Sequence, residues 1–169
     1  MATWSGIRKK LEEEYLAQSL RGRVRYFCTT YKKSHDREGR AAILVDGKEV
    51  LQGNYYNFYL KSHPLLHEEP YWPWNQFLVV DALTVGLGMF DQHTLYNAFR
   101  QFDNQSIEES LESDDLLVRI FAILDRRVGK RRLEVMGETL SREESVLRDF
   151  YLLRLDAEGM NPEKVFSEK

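Results

Sequence analysis

Five cations stand within seven residues, at Arg126, Arg127, Lys130, Arg131 and Arg132 around Gly129. Four of them are arginine, whose planar guanidinium forks onto carboxylate and phosphate oxygens in bidentate fashion. The chemistry such a cluster suits is anion binding, to the phosphates of a nucleic acid or nucleotide or to an acidic protein surface. Arg23 and Arg25 form a second basic group upstream, and they extend the site only if the fold brings the two groups together. The competing reading is structural: cations at a helix end offset the negative pole of its dipole. They would also pair with Glu108, Glu109, Glu112, Asp114 and Asp115, which lie close in sequence.

Catalytic arrangements are harder to assemble. An enzyme acting on a phosphate-bearing substrate could use the arginines as electrostatic stabilisers and Asp125 as base, and it stands as the alternative function. His63 and His67 are four apart with Glu68 and Glu69 behind them. Pro64 pushes His63 away from helical geometry, and the sequence marks no third ligand, so no metal site is expected. His93 reads as a helix residue rather than a base. Cys28, the single cysteine, reads as a small buried apolar residue, with no disulfide and no cysteine-based zinc site. Gly86-Leu87-Gly88 lacks the third glycine and the strand–helix setting of a phosphate loop. Asp46 and Lys48-Glu49 make a poor metal-dependent nuclease site, because neighbouring strand residues face opposite sides. Tyr71-Trp72-Pro73-Trp74 is an aromatic group suited either to stacking or to plugging one end of a core. No cofactor is expected. The balance favours a non-catalytic binding or regulatory module that turns an Arg-rich surface toward an anionic partner.

Composition bounds that reading. The formal charge of −3 excludes a generally nucleic-acid-loving chain, so any such role needs a local patch. A length of 169 residues suits a single domain over 1–169, read as helix plus sheet (1–53), aromatic loop and helix (54–90) and a helical part (91–169). The first residues turn charged at once, unlike a signal peptide. Phe77–Phe90 is too short to span a bilayer and is interrupted by Asp81. We therefore expect a cytoplasmic protein with no membrane contact.

The elements that must position the cations follow from periodicity. Thr3 or Ser5 caps a first helix to about Leu20, with Trp4, Ile7, Leu11 and Tyr15 on one face. From Arg23 to Thr30 a period of two marks a strand with one basic face. Two apolar runs around Asp46-Gly47 predict a hairpin with a two-residue turn. Residues 53–74 suggest a short helix and a long loop, after which Asn75 starts a helix through Phe77, Val80, Leu83, Thr84 and Leu87, with a strand as the alternative given the β-branched content. Asp91, Ser106 with Glu109, Ser113 with Asp114 and Asp115, and Ser141 with Glu144 mark four further helix starts. Leu116, Leu117, Ile120, Phe121 and Leu124 form the widest apolar stripe. Gly159-Met160-Asn161-Pro162 closes the last helix. The fold class is α+β: an N-terminal helix, a small antiparallel sheet of about three strands, then a mostly helical C-terminal half.

WSGIRKKLE, LRGRVRY and LDRRVGKR, together with EGRAAILVDGKEVL, resemble a family of small uncharacterised bacterial cytoplasmic proteins. The resemblance covers most of the chain. It implies a bacterial origin and brings no assigned activity or site residues with it. Locally, SDDLLVRIFAILDRRVG is similar to one helix of a HEAT repeat, although one unit does not make a solenoid.

Overall fold

The protein is described by a computed structural model covering residues 3–33, 39–54, 80–86, 88, 90–142 and 146–167. Thr3 caps α1 (Trp4–Lys9), accepting a hydrogen bond from the Gly6 N–H. The expected single helix to Leu20 does not continue as one. Lys10–Tyr15 winds as a π-helical turn, closed by the Leu16 N–H on the Leu11 carbonyl at 3.1 Å. The chain leaves the helix there because another element takes its backbone groups. Ala17 donates to the Leu124 carbonyl at 2.9 Å, and Arg126 donates to the Tyr15 carbonyl at 2.8 Å. A 3₁₀ turn, Gln18–Leu20, leads into the sheet.

Strands β1 (Val24–Thr30), β2 (Gly39–Val45) and β3 (Lys48–Asn54) pair antiparallel in that order. Val24, Tyr26, Cys28, Ala41, Ile43 and Leu51 are buried on the inner face, as the alternation requires. Asp46 and Gly47 have φ of 50° and 80°, the two positive values that a primed hairpin turn needs. The register slips between Ile43 and Leu44, which leaves Val50 half exposed at the irregularity.

Seven helical segments follow among the described residues: α2 (Ala82–Gly86), α3 (Gln92–Asn104), α4 (Ile107–Leu111), α5 (Leu116–Leu124), α6 (Lys130–Leu140), α7 (Val146–Ala157) and α8 (Pro162–Ser167). Helix α5 is the centre of the core. Eight of its nine residues are buried, so its apolar surface runs almost all the way round rather than along one stripe. Phe121 meets the rings of Tyr26 and Phe102 edge-on, at 5.6 and 5.7 Å between centroids. The helix thus joins the sheet to α3 through aromatic contacts.

The caps at Asp91 and Ser106 are reciprocal boxes with Thr94 and Glu109. At α5 the capping carboxylate is that of Asp115, which accepts from Leu117 and Val118, while Ser113 supports it from outside. Of the helix expected from Asn75, residues 75–79 lie outside the described residues. Val80 precedes α2 and spends its carbonyl on the Leu116 N–H at 2.7 Å, and Asp81 and Thr84 cap the helix reciprocally. Past Gly159, whose φ is 68°, the chain forms the extra helix α8 with Pro162 at its first position. His63, His67, the Tyr71–Trp74 aromatics and Glu144 of the Ser141 box lie outside the described residues. No helix among the described residues is long and apolar enough to cross a membrane.

Candidate anion-binding site

The cation cluster occupies the connection from α5 to α6, and the turn is built around Asp125. Its carboxylate is fully buried and accepts the Arg127 backbone N–H at 2.6 Å. It also accepts Nε and Nη2 of the Arg127 side chain, at 3.1 and 2.8 Å. The Arg127 guanidinium lies over the rings of Tyr15 and Phe102, at 5.1 and 5.4 Å, so it is held by a carboxylate and two aromatic rings. Both oxygens of the Asp125 carboxylate, named as base in the alternative enzyme reading, are thus engaged by Arg127.

A second arginine holds the same turn from below. Arg154, 3% exposed, donates to the carbonyls of Ile123, Asp125 and Val128 at 3.3, 3.0 and 2.9 Å. The Ile123 carbonyl belongs to the last turn of α5, and the other two lie in the turn beyond it, where the Asp125 carbonyl also accepts the Val128 N–H at 3.1 Å. Its Nε lies 3.1 Å from a Glu158 oxygen but is not aligned for a hydrogen bond, so that contact is ionic. Burial lowers the Arg154 pKa and Glu158 opposes the shift.

Beside Arg127, Tyr15 and Lys10 converge on Asp103. The Tyr15 hydroxyl donates to Asp103 Oδ1, and Lys10 Nζ lies 2.9 and 3.0 Å from the two carboxylate oxygens. Burial and the Asp103 carboxylate push the Tyr15 hydroxyl up to about 12. Burial alone would raise Asp103, but hydrogen bonds from Tyr15 and Lys10 outweigh it and hold the carboxyl below its ordinary value.

The remaining cations divide into two kinds. Helix α6 begins at Lys130 with Gly129 as its cap and no side chain on the exposed N–H groups. Lys130, Arg131 and Arg132 thus sit on the positive pole of an 11-residue helix, the opposite of the end where cations are favourable. Arg132 is offset by Glu108 at 2.7 Å, and Lys130 by the Glu158 carbonyl at 2.9 Å. Arg126 and Arg131 are exposed and make no ion pair with another described residue. Upstream, Arg23 is shared between Asp46 and Asp156 at 3.1 and 3.2 Å, and Arg25 reaches Glu12 at 3.4 Å. The π-helical turn touches β1 through Glu12 and the α5–α6 turn through Tyr15. The described ion pairs of Arg23 and Arg25 are with Asp46, Asp156 and Glu12, and none of them joins the strand arginines to the α5–α6 cluster.

Three supporting residues escape a reading by sequence proximity. Lys10 and Tyr15 meet Asp103 across more than 80 positions. Arg154 did carry a signal: it falls on the apolar stripe of α7, three and four residues after Tyr151 and Phe150, where a cation must be buried and bonded. Among the described residues no group of three or more His, Cys, Asp and Glu stands together as a metal site.

A family model, that of the SF0329 protein family, matches residues 3–155 and so spans every cation of the cluster. Neither the curated proteins nor the solved structures contain a match to the chain.

Proposed function

The chain belongs to the SF0329 protein family, and we propose that it is a non-catalytic binding module whose α5–α6 corner receives an acidic segment of a partner protein. One observation carries this reading. Arg126 and Arg131 are exposed with no ion pair to another described residue, and Arg131 lies in the first turn of an uncapped helix, where its charge adds to the dipole instead of offsetting it. A cation in that position costs stability, about 0.3–1 kcal/mol, so a fold gains nothing from keeping it. A carboxylate-bearing ligand would reverse the sign of the interaction.

A protein segment fits better than a long nucleic acid. Glu108 lies against Arg132 and Glu158 against Arg154, and the π-helical turn that carries Glu12–Glu14 meets the corner through Tyr15. A short acidic segment meets the cations alone, whereas an extended polyanion must also cross those carboxylates. The burial of Asp125 and its use by Arg127 weigh against the enzyme reading.

The test is a titration with a fluorescent Asp/Glu-rich peptide, and with heparin and duplex DNA for comparison. The peptide should bind, and Arg126→Ser with Arg131→Ser should weaken it severalfold while Tm stays within the usual scatter of surface substitutions. No peptide binding at low salt, or equal binding by the double variant, sinks the reading. Tighter binding of heparin and duplex DNA would assign the corner to nucleic acid instead.

A further inference from the structure

Away from that corner, the outer face of the sheet carries a different constellation. The register sets Phe27 beside Ala42 and Gln52, Arg25 beside Leu44, and Thr29 beside Arg40. Phe27 on β1 and Tyr31, the residue just past its end, keep 39% and 50% of their surface exposed. The Arg40 guanidinium lies over the Phe27 ring at 5.1 Å and is fixed there by Glu49, with Gln52 Oε1 at 3.5 Å. Next to this stack the sheet surface falls into an open depression of about 470 Å³, lined by Arg40, Gln52 and Asn54 with Val50, Val85 and Val146. That volume lies in the range of small-ligand sites, about 300–1,000 Å³. Arg25, Lys32 and Lys33 are exposed around the aromatic pair.

We infer that this face binds single-stranded nucleic acid, with bases stacked on Phe27, Tyr31 and the Arg40 plane and the backbone tracked by Arg25, Lys32 and Lys33. Each part has its own reason. Exposed rings on a flat sheet offer the π-faces that unpaired bases seek, and guanidinium planes stack on them as well. The Gln52 amide at the mouth of the depression matches the donor and acceptor edge of a base turned inward. Among the described residues Glu49 is paired with Arg40 and Glu12 with Arg25, while Lys32 and Lys33 stay exposed. A purely apolar partner would have to desolvate those cations. A duplex hides the ring faces this surface is shaped to meet.

The experiment is fluorescence anisotropy of a labelled oligo-U and oligo-dT of roughly a dozen nucleotides, against a duplex of equal length, at about 50 and 200 mM salt. Single strands should bind in preference to duplex. Tyr31→Ala and Phe27→Ala should each weaken binding at least about fivefold, and Arg25→Ser should flatten the log–log salt slope by ~0.7. Arg126→Ser with Arg131→Ser should leave this affinity unchanged, which separates the face from the α5–α6 corner. Absence of binding at the lower salt overturns the proposal. So does unaltered affinity in both Phe27→Ala and Tyr31→Ala, each checked for an unchanged Tm, or equal affinity for the duplex. A wild-type dimer that Tyr31→Ala or Phe27→Ala turns into a monomer would give the face to a second copy of the chain and overturn it equally.

Discussion

Asp125 and Arg127, two residues apart, form a two-point ion pair in which the carboxylate is wholly buried and the guanidinium is 38% exposed on its aromatic shelf. The pair fixes the turn that launches α6, because the same carboxylate also takes the Arg127 backbone N–H. Replacing Asp125 by Ala should therefore destabilise the fold by about 3 kcal/mol, the low end for a broken buried pair given the exposure of its partner. Urea unfolding of the variant measures it. A loss under about 0.5 kcal/mol would place the pair among surface ion pairs.

Arg154 should behave as a positioning residue for the same turn. Arg154→Met keeps the volume but removes the side-chain donors of three carbonyls, of which only Asp125 keeps a backbone donor, and the cost should exceed about 2 kcal/mol. Amide exchange across 125–130 should rise in the variant ahead of the rest of the chain.

Phe121→Ala should cost ~3–5 kcal/mol, since it removes an aromatic that contacts both the sheet and α3. Chemical denaturation is the check, with an unchanged slope expected if only stability is affected.

Gly47→Val should also destabilise, because a β-branched side chain must then adopt a φ of 80°. Thermal unfolding of this variant beside Lys48→Val separates the turn effect from a general surface effect.

The Tyr15–Asp103–Lys10 group gives stability a dependence on pH at both ends. Asp103 has its folded pKa below the unfolded value, so its stabilisation is present above about pH 4 and is lost as the pH falls through the folded value. Tyr15 titrates at about 12 in the folded state against 10.0 ordinarily, so its contribution is complete below pH 10 and disappears as the pH rises toward 12. Tm should therefore fall at both limits. Tyr15→Phe should flatten the alkaline limb, and Asp103→Asn the acid limb.

Local signals in the chain were sufficient wherever the local chemistry and the tertiary contacts agree. Asp46-Gly47, Asp91 and Ser106 each specify their turn or cap without help from distant residues, and the period of two in β1 assigns its faces correctly. Where distant groups compete for the backbone, sequence reading fails for an identifiable reason. The first helix gives up its last turns because Leu124 and Arg126 take the backbone groups of Ala17 and Tyr15. Val80 stays out of a helix because Leu116 needs its carbonyl. The cation cluster was visible as a cluster, but its polarity was not. Lys130–Arg132 open a helix, so the neutralising role expected of cations at a helix end does not apply to them.

Glu12 carries a consequence for the behaviour of the protein in concentrated solution. Strand β1 is the first of the sheet, and its outer edge presents the Tyr26 N–H to whatever lies alongside. Glu12 Oε1 accepts that N–H at 2.9 Å while Oε2 faces Arg25. The π-helical turn thus places a charged side chain where a neighbouring molecule's strand would otherwise add on, and edge-to-edge polymerisation is blocked at its first hydrogen bond.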